Sequence, residues 1–579
     1  MSTGVNMCGI VGMVSEERFP SSEALVFLKR LEYRGYDSFG WASDLGVVQR
    51  RVGPIVFNKS FDACKAVIAH TRWATHGGVT EKNAHPHCDC TSTFYIVHNG
   101  IIENYRELKA GLENLGHTFS SQTDSEIISH YFEEALKIGN TVSEAICEFF
   151  TVAKGTFAIL LLRKGENRIY ALKRDSPLVL GLTDEALMLA SDIYAFSEKT
   201  NKAIFFEDNE FAIIDETGYA FFDLKGSSIQ KEIKQFYWQQ QTTEHQYEHY
   251  MIKEILDEPV AAQRLLSALE TTQKDKLDKL AAMVKACDRV LFIGSGTSYH
   301  ASLIGSYLMR RLGIEAQVLV ASELKHHVPP NEKTLVIAVS QSGETMDVID
   351  AMKIAKAHGA PTASIVNVPY STIQRMTDLH LEILAGQEVC VAATKSFVNQ
   401  CLLLIKLCSS LGLETGLERI LDHMEQVMDL RPKIMELAKD LKGVSDIYLI
   451  GRGVMYPVAC EIALKLKEIP YIHAEGMMGG ELKHGTIALI EDGTPVISLM
   501  PEGEEDIVSN TKEVESRGAW VIAITNSNEN EFKQQIKISA KDDDSFAILA
   551  TIIGQLLTYY IAKEKNLPID KPRNLAKSV

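Results

Sequence analysis

Apolar positions in the first 230 residues fall in short runs separated by polar turns. AVIAH (66–70), FYIVHNG (94–100), TFAILLL (156–162) and RIYALKR (168–174) read as strands. SEALVFLKRL (22–31) and the segment 125–136 carry the helical period instead, with Ser22 a candidate cap of the first and Asp124 standing before the second. Many strands with few helices predict an α+β unit of stacked sheets flanked by helices. Between about 225 and 245 the chain turns polar and Gln-rich, without an apolar period, and reads as a linker. The helical pattern over 249–269 contains Pro259, which breaks or kinks a helix.

The remainder alternates strand and helix, the pattern of parallel sheets covered on both faces. It also repeats itself. RVLFIGSGTSYHASLIGSYLMRRL (289–312) and DIYLIGRGVMYPVACEIALKLKE (446–468) share a layout of strand, glycine turn and helix. TLVIAVSQSGET (334–345) is echoed by TPVISLMPEGEE (494–505). Two duplicated α/β doubly wound subdomains are expected, joined by a helical stretch over about 395–443. AILATIIGQLLTYYIA (547–562) is too short for a membrane span and contains Gln555, so it reads as a core helix. The expected boundaries are 8–230 for the first domain, 231–248 for the linker, 249–430 for the first subdomain and 431–579 for the second.

A length of 579 residues fits two to four domains. A net charge of −17 argues against non-specific nucleic-acid binding, though not against an anionic small ligand held by backbone dipoles. Ten cysteines over this length suggest a reducing compartment. No basic segment followed by an apolar run opens the chain, so no signal peptide is expected. The chain reads as cytoplasmic, without nucleic-acid or membrane partners.

Several motifs carry chemistry. Cys8 opens the strand CGIVG and is a candidate nucleophile; a buried strand cysteine is the ordinary alternative. SQSGET (340–345) lies between an apolar strand and a helix. Its hydroxyls on Ser340, Ser342 and Thr345, with Gly343 and the helix N-terminus, suit a phosphate. GSGTS (294–298) repeats the theme with Thr297 and Ser298, and the full dinucleotide fingerprint is absent. Lys465 and Glu468 share a helix face, and His484 sits in a Gly-flanked loop as a possible proton carrier. Arg72 could grip a carboxylate, Asn99 and Gly100 could form an oxyanion hole, and Asp124 could receive an ammonium or cap its helix. His85, His87, Cys88 and Cys90 lack paired metal-ligand spacing, so metal is not expected there.

Taken together these segments resemble the glutamine–fructose-6-phosphate aminotransferase (isomerizing) family over nearly the whole chain. CGIVG, RLEYRGYDS (30–38), HTRWATHG (70–77), NAHPH, HNGIIEN and TDSE resemble its N-terminal-nucleophile glutaminase domain. GTSY, SQSGET, ATKSF (393–397), KLKEIPYIHAE, GELKHG and KPRNLAKSV resemble its two sugar-isomerase (SIS) subdomains. The resemblance implies that Cys8 attacks the glutamine amide with its own α-amino group as base, while Asn99 and Gly100 hold the oxyanion. It implies that Arg72 and Asp124 hold the substrate's α-carboxylate and α-ammonium, that Thr75 and His76 line the site, and that Trp73 helps gate the ammonia path. On the sugar side, Ser298, Ser340, Gln341, Ser342 and Thr345 would bind the phosphate. His484 from a neighbouring subunit would open the ring, Glu468 would move a proton between C1 and C2 with Lys465 assisting, and Lys577 would form a Schiff base. The implied substrates are glutamine and fructose 6-phosphate, the assembly at least a homodimer, and no metal or organic cofactor is needed. Three rival readings are a paralogue acting on another keto-sugar phosphate, a sugar-phosphate sensor with a silent glutaminase half, and a sugar-phosphate deaminase or deglycase working without glutamine, a class that generally lacks the N-terminal domain. The α-amine mechanism requires a chain that begins at Cys8, most simply by initiation at Met7 and removal of that methionine. At the other end the chain stops two residues after Lys577, where the family usually continues. Phe39 stands where a small residue is usual and has no functional account.

Overall fold

The computed structural model describes residues 8–57, 62–74, 76–236, 246–529 and 531–577. It divides into two compact units, Met1–Gln240 with Ala576–Val579, and Gln241–Leu575.

Among its described residues the first unit has fifteen strands. They are β1 (Gly9–Pro20), β2 (Ser38–Ser43), β3 (Val48–Val52), β4 (Ala63–Arg72), β5 (His87–Cys88), β6 (Phe94–Ile102), β7 (Gly155–Arg163) and β8 (Arg168–Arg174). After these come β9 (Val179–Leu182), β10 (Leu187–Ala190), β11 (Lys202–Phe205), β12 (Glu210–Asp215), β13 (Gly218–Phe222), β14 (Ser228–Ile229) and β15 (Lys234–Gln235). One antiparallel sheet runs β15-β11-β9-β10-β1-β4-β2-β3 and the other β14-β13-β12-β8-β7-β6-β5. The helices are α1 (Ser22–Arg30), α2 (Tyr105–Asn114), α3 (Glu126–Lys137) and α4 (Val142–Val152).

Successive side chains of a strand point to opposite faces, and here both faces are used. On β6, Tyr95 and Val97 join Ile10, Ala66 and Ile68 in a core between the sheets. Phe94 and Ile96 pack outward on α2, α3 and α4, with Phe132 and Phe149. Strands buried on both sides read as continuous apolar runs, which is why they are visible in the sequence.

Ser22 does not cap α1: it is the first helical residue, and Ser21 at the cap position makes no side-chain hydrogen bond. Asp124 does not cap α3 either; Ser125 holds that position without a capping bond, and Asp124 Oδ2 instead accepts from Ile102 N–H at 2.8 Å. The stretch read as linker begins with two short edge strands, β14 and β15, and buries Phe236. An edge strand needs only backbone donors and acceptors, so polar residues serve.

The second unit begins with α5 (Tyr250–Leu256), α6 (Glu258–Glu270) and α7 (Lys274–Ala286). Pro259 lies in the first turn of α6, where its missing N–H costs nothing, so the helix is broken rather than kinked. The first repeat comprises β16 (Arg289–Gly294), α8 (Thr297–Arg311), β17 (Ala316–Val320), β18 (Thr334–Ser340), α9 (Met346–Ala357), β19 (Thr362–Val366), α10 (Thr372–Met376) and β20 (Leu379–Glu382). Three helices follow, α11 (Lys395–Ser410), α12 (Ile420–Asp429) and α13 (Arg431–Leu441). The second repeat comprises β21 (Asp446–Gly451), α14 (Met455–Glu468), β22 (His473–Met478), β23 (Pro495–Met500), α15 (Glu505–Glu515), β24 (Trp520–Thr525) and β25 (Gln534–Lys537), and α16 (Asp543–Glu564) ends the unit.

The sheets run β17-β16-β18-β19-β20 and β22-β21-β23-β24-β25, all parallel, so the duplicated doubly wound expectation holds down to strand order. At 22 residues α16 is long and apolar enough to cross a membrane, contrary to the expectation from length. It is a core helix because its whole apolar window is buried, Gln555 included.

Candidate active sites

The first site forms where β1 starts. The register Gly9↔Thr71 sets Cys8 beside the end of β4. Trp73 N–H donates to Cys8 Sγ at 3.2 Å, and the thiol faces the Trp73 carbonyl at 3.6 Å. Burial pushes the Cys8 thiol up to about 11, against the opposing pull of the Trp73 N–H, Arg72 and Arg34. The sulfur is therefore a thiol at neutral pH and needs a base before it can attack.

Asn99 on β6 donates its side-chain amide to the Cys8 carbonyl at 2.6 Å, and its Oδ1 is buried without a hydrogen-bond partner. Gly100 holds φ +127, and a Cβ there would run into the Thr156 carbonyl, so only glycine fits. Arg72 is buried, and its guanidinium donates to the carbonyls of His76 at 2.5 Å and Gly78 at 3.3 Å. Burial lowers its pKa while Cys8, Asp37 and Asp124 push it back. It remains a cation in any case, tied to neutral acceptors and able to receive a carboxylate. Trp73 packs edge-on against Tyr36 at 5.6 Å, and His76 edge-on against Tyr105 at 5.7 Å. Thr75 lies outside the described residues.

Two participants were not assigned from sequence. A Cβ on Gly35 would lie 2.7 Å from the Arg72 carbonyl carbon and from Trp73 N, so this glycine permits the close approach of the 35–37 segment. Asp37 Oδ2 then accepts from Ala74 N–H at 2.9 Å, while its own N–H donates to the Arg72 carbonyl at 3.0 Å. Both lie in the quoted RGYDS stretch; the signal was present but no role was attached. Phe39 is a buried β2 residue opposite Thr71.

His85, His87, Cys88 and Cys90 do not meet at one point. The His85 ring stacks on His70 at 4.0 Å, and its Nδ1 accepts from His98 N–H. His87 Nε2 pairs with the Thr123 hydroxyl at 3.0 Å, and burial drives its pKa down to about 3. Both are neutral core histidines.

The second site lies at the carboxyl ends of β16 and β18. These are neighbouring strands whose connections leave in opposite directions, which is where doubly wound sheets bind ligands. After β18, Ser340 Oγ accepts from Gly343 N–H at 3.0 Å and lies 3.4 Å from the Thr345 hydroxyl. Ser342 Oγ accepts from Glu344 N–H at 3.1 Å, the Gln341 carbonyl accepts from Asn367 N–H, and Thr345 is the cap residue of α9. The result is a tight hydroxyl-lined turn at a helix N-terminus. After β16 the hydroxyls are engaged elsewhere: Ser298 Oγ accepts from Gln400 at 3.0 Å, and Thr297 Oγ1 donates to Glu461 at 3.0 Å.

That last contact leads to a charged cluster between α8 and α14. Lys465 Nζ is 2.6 Å from Glu468 Oε2, 3.4 Å from Glu461 Oε1 and 3.1 Å from Thr297 Oγ1. His300 Nδ1 donates to Glu461 Oε2 at 2.7 Å. Burial alone would lower the Lys465 pKa, but Glu461 and Glu468 raise it above that of an ordinary lysine. Burial would raise that of Glu461, but Lys465 and His300 hold it below the usual carboxylate range. Glu461 and His300 are the members that sequence reading missed. Glu461 was discoverable, since it stands four residues before Lys465 on the same helix face.

His484 is exposed at the end of a short 3-10 helix, and its side chain makes no hydrogen bond or ion pair among the described residues. Lys577 groups with the first unit, where its N–H donates to the Tyr33 carbonyl at 3.4 Å.

The sequence signature of a glutamine amidotransferase domain matches residues 70–198, and that of an SIS domain matches 283–408 and again 440–563. Fold and sites together define a glutamine amidotransferase joined to a pair of SIS domains. The chain is 39% identical over 605 residues to the glutamine–fructose-6-phosphate aminotransferase (isomerizing) of Thermococcus kodakarensis, covering 99% of this chain and 100% of that one. It is also 39% identical, over 594 residues and with the same coverage, to the protein of that name from Methanothermobacter thermautotrophicus. Among solved structures, the C-terminal domain of glucosamine-fructose-6-phosphate aminotransferase from Francisella tularensis matches with a TM-score of 0.53 at 29% identity, over 56% of this chain and 99% of that one. The chain belongs to the glutamine–fructose-6-phosphate aminotransferase (isomerizing) family.

Proposed function

We propose that this chain converts fructose 6-phosphate and glutamine to glucosamine 6-phosphate and glutamate. The observation that carries the reading is the presence, on a chain that matches its relatives from end to end, of two chemically distinct sites. One is a buried thiol bracketed by Trp73, Asn99 and Arg72. The other is a hydroxyl turn at a doubly wound switch point, in the same unit as the Lys465–Glu468 pair.

In the first unit Cys8 Sγ attacks the side-chain amide carbon of glutamine, and the thiol proton passes to the α-amino group of Cys8. The oxyanion is held by the Asn99 amide, which turns from the Cys8 carbonyl, and by Gly100 N–H. Collapse releases ammonia, and water hydrolyses the thioester to glutamate. Arg72 and Asp124 hold the substrate's carboxylate and ammonium, with Thr75 and His76 along the wall. Ammonia passes from one unit to the other with Trp73 gating its path; kept from bulk water it stays unprotonated and nucleophilic.

In the second unit Ser340, Gln341, Ser342 and Thr345 hold the sugar phosphate, and Ser298 and Thr297 join them only on giving up their bonds to Gln400 and Glu461. Glu468, paired with Lys465 at 2.6 Å, takes the C1 proton of the imine and returns it at C2. Lys465 is held as an ammonium by Glu461 and Glu468, and the family resemblance assigns the Schiff base to Lys577. His484 opens the ring from a neighbouring subunit, so the working enzyme is at least a homodimer, and it is cytoplasmic.

The test is to follow glutamate and amino sugar together, with and without fructose 6-phosphate. Equal release of the two with fructose 6-phosphate is expected. Amino sugar formed only from a different ketose phosphate would assign the chain to a paralogous activity.

Intact mass of the active protein made in its native host is expected to begin at Cys8. A fully glutaminase-active chain that still carries residues 1–7 would overturn the α-amine base.

Gly343→Ala is expected to raise KM for the ketose phosphate by about tenfold or more and to destabilise by about 1–3 kcal/mol, because its φ is +66 and a Cβ would strike Ser371. An unchanged KM in a folded variant would remove the 340–345 turn from the phosphate site.

A further inference from the structure

Cys90, His117, His130 and Glu133 converge in the first unit from three separate pieces of chain: the loop after β5, the loop between α2 and α3, and one face of α3. Cys90 Sγ lies 3.8 Å from His117 Nδ1 and 3.5 Å from His130 Nδ1, and the two Nδ1 atoms are 3.2 Å apart. Glu133 Oε2 is 3.2 Å from His117 Nδ1 and 3.7 Å from His130 Nδ1. A tetrahedral zinc with bonds of about 2.3 Å to sulfur and about 2.0–2.2 Å to nitrogen and oxygen sets these separations at about 3.3–3.6 Å. The observed edges agree to within about 0.4 Å with that tetrahedron.

The hydrogen bonds of the surroundings point the same way. His117 Nε2 donates to Glu134 Oε2 at 3.0 Å. The other ring nitrogen, His117 Nδ1, faces the point where the thiol, the second imidazole and the Glu133 carboxylate meet, and in the tautomer that donates from Nε2 it offers a lone pair there. A carboxylate holding the outer N–H is also the arrangement that orients a metal-bound histidine. His117, His130 and Glu133 are all at least nine-tenths buried, while Cys90 is exposed and gives a route of entry. Glu133 Oε2 also accepts from the Cys90 N–H at 3.1 Å, and Lys137 Nζ pairs with Glu133 Oε1 at 3.1 Å.

We propose that Cys90, His117, His130 and Glu133 bind one divalent cation of the zinc class in a structural site. The mixed sulfur, nitrogen and oxygen set in tetrahedral spacing selects against magnesium and calcium, which take oxygen ligands in larger numbers. The cation ties both loops to α3. Glu126 of the same helix accepts from the N–H groups of Ser120 and Ser121 at 2.8 and 2.7 Å, so the site braces the segment that ends in Asp124. Sequence reading placed Cys90 with its neighbours His85, His87 and Cys88 and expected no metal; the partners that meet it lie 27 to 43 positions away.

The full-length protein, stripped with a chelator, is titrated with cobalt(II) and then with zinc. About one equivalent of cobalt is expected, with a thiolate-to-cobalt charge-transfer band and the intense d–d bands of a tetrahedral ion, both displaced by zinc. Cys90→Ser removes the charge-transfer band, whereas Cys88→Ser leaves it unchanged. Glu134→Gln keeps the band and weakens binding about 10–100-fold. Circular dichroism confirms that each variant is folded. No cobalt spectrum in the folded wild-type protein, or an undiminished band in Cys90→Ser, overturns the site.

Discussion

Cys8→Ala eliminates glutamate release from glutamine, by more than about 10⁴-fold in kcat, while fructose 6-phosphate binds with unchanged affinity. The loss is large because no neighbouring group can replace the sulfur: Trp73 offers a backbone N–H and carbonyl, and Asn99 an amide. The sugar-phosphate turn belongs to the other compact unit, so removing one sulfur atom from the first leaves it intact. A chain that keeps residues before Cys8 should behave almost as badly. Its thiol, pushed up to about 11, has lost the one amine that could take its proton. Glutamate release by coupled assay and calorimetry with fructose 6-phosphate measure the two halves separately. Residual glutaminase activity near the wild-type level would remove Cys8 from the mechanism. Loss of sugar-phosphate binding would mean the two units do not work independently.

Glu468→Gln and Lys465→Met separate chemistry from stability within one cluster. Glu468→Gln is expected to lower amino-sugar formation about 10²–10⁴-fold, as the loss of the proposed base, with little change in unfolding, because its carboxylate is partly exposed. Lys465→Met strands Glu461, a buried carboxylate left with only His300 and Thr297. The expected cost is about 3–5 kcal/mol in denaturant unfolding. The cluster also fixes a sign for acid stability. Glu461 is held below the usual carboxylate range, so its contribution is present above the ordinary carboxylate pKa of about 4.3 and is lost as pH falls further. The raised pKa of Lys465 contributes at all lower pH values and fades only in strong alkali. Equal unfolding midpoints for Lys465→Met and the wild-type protein would contradict the pairing.

The sequence made the local features legible and the convergent ones much less so. Strands such as β6 and β7 are apolar on both faces, so they stand out as runs, and the internal repeat follows from like-ordered glycine turns. Ser22 was misread because the serine beside it, Ser21, takes the cap position. The edge strands β14 and β15 carry almost no pattern. In the first site, Cys8, Arg72, Asn99 and Gly100 stand out in the sequence because each belongs to a compact motif, Cys8 and Arg72 at strand ends and Asn99 and Gly100 within β6. His300 was missed because its partner Glu461 lies 161 positions away on another helix, and nothing beside His300 in the sequence points to it. Thr297 and Ser298 look like phosphate hydroxyls in sequence, and only the packed structure shows that Glu461 and Gln400 occupy them.

The burial of α16 bears on how the protein is made. This last helix packs against α5, α11, α12, α13 and α14, filling the middle of a core shared by both repeats. The helices it packs against cannot close their apolar faces until residues 543–564 have been synthesised. At roughly 5–20 residues per second, the roughly 300 residues from α5 onward leave a nascent chain with open faces for roughly 15–60 s. The first unit has its last strand, β15, long before that. Nascent-chain protection by chaperones should therefore concentrate on the second half of the polypeptide, and a premature stop before α16 should yield a soluble first unit with an aggregation-prone remainder attached.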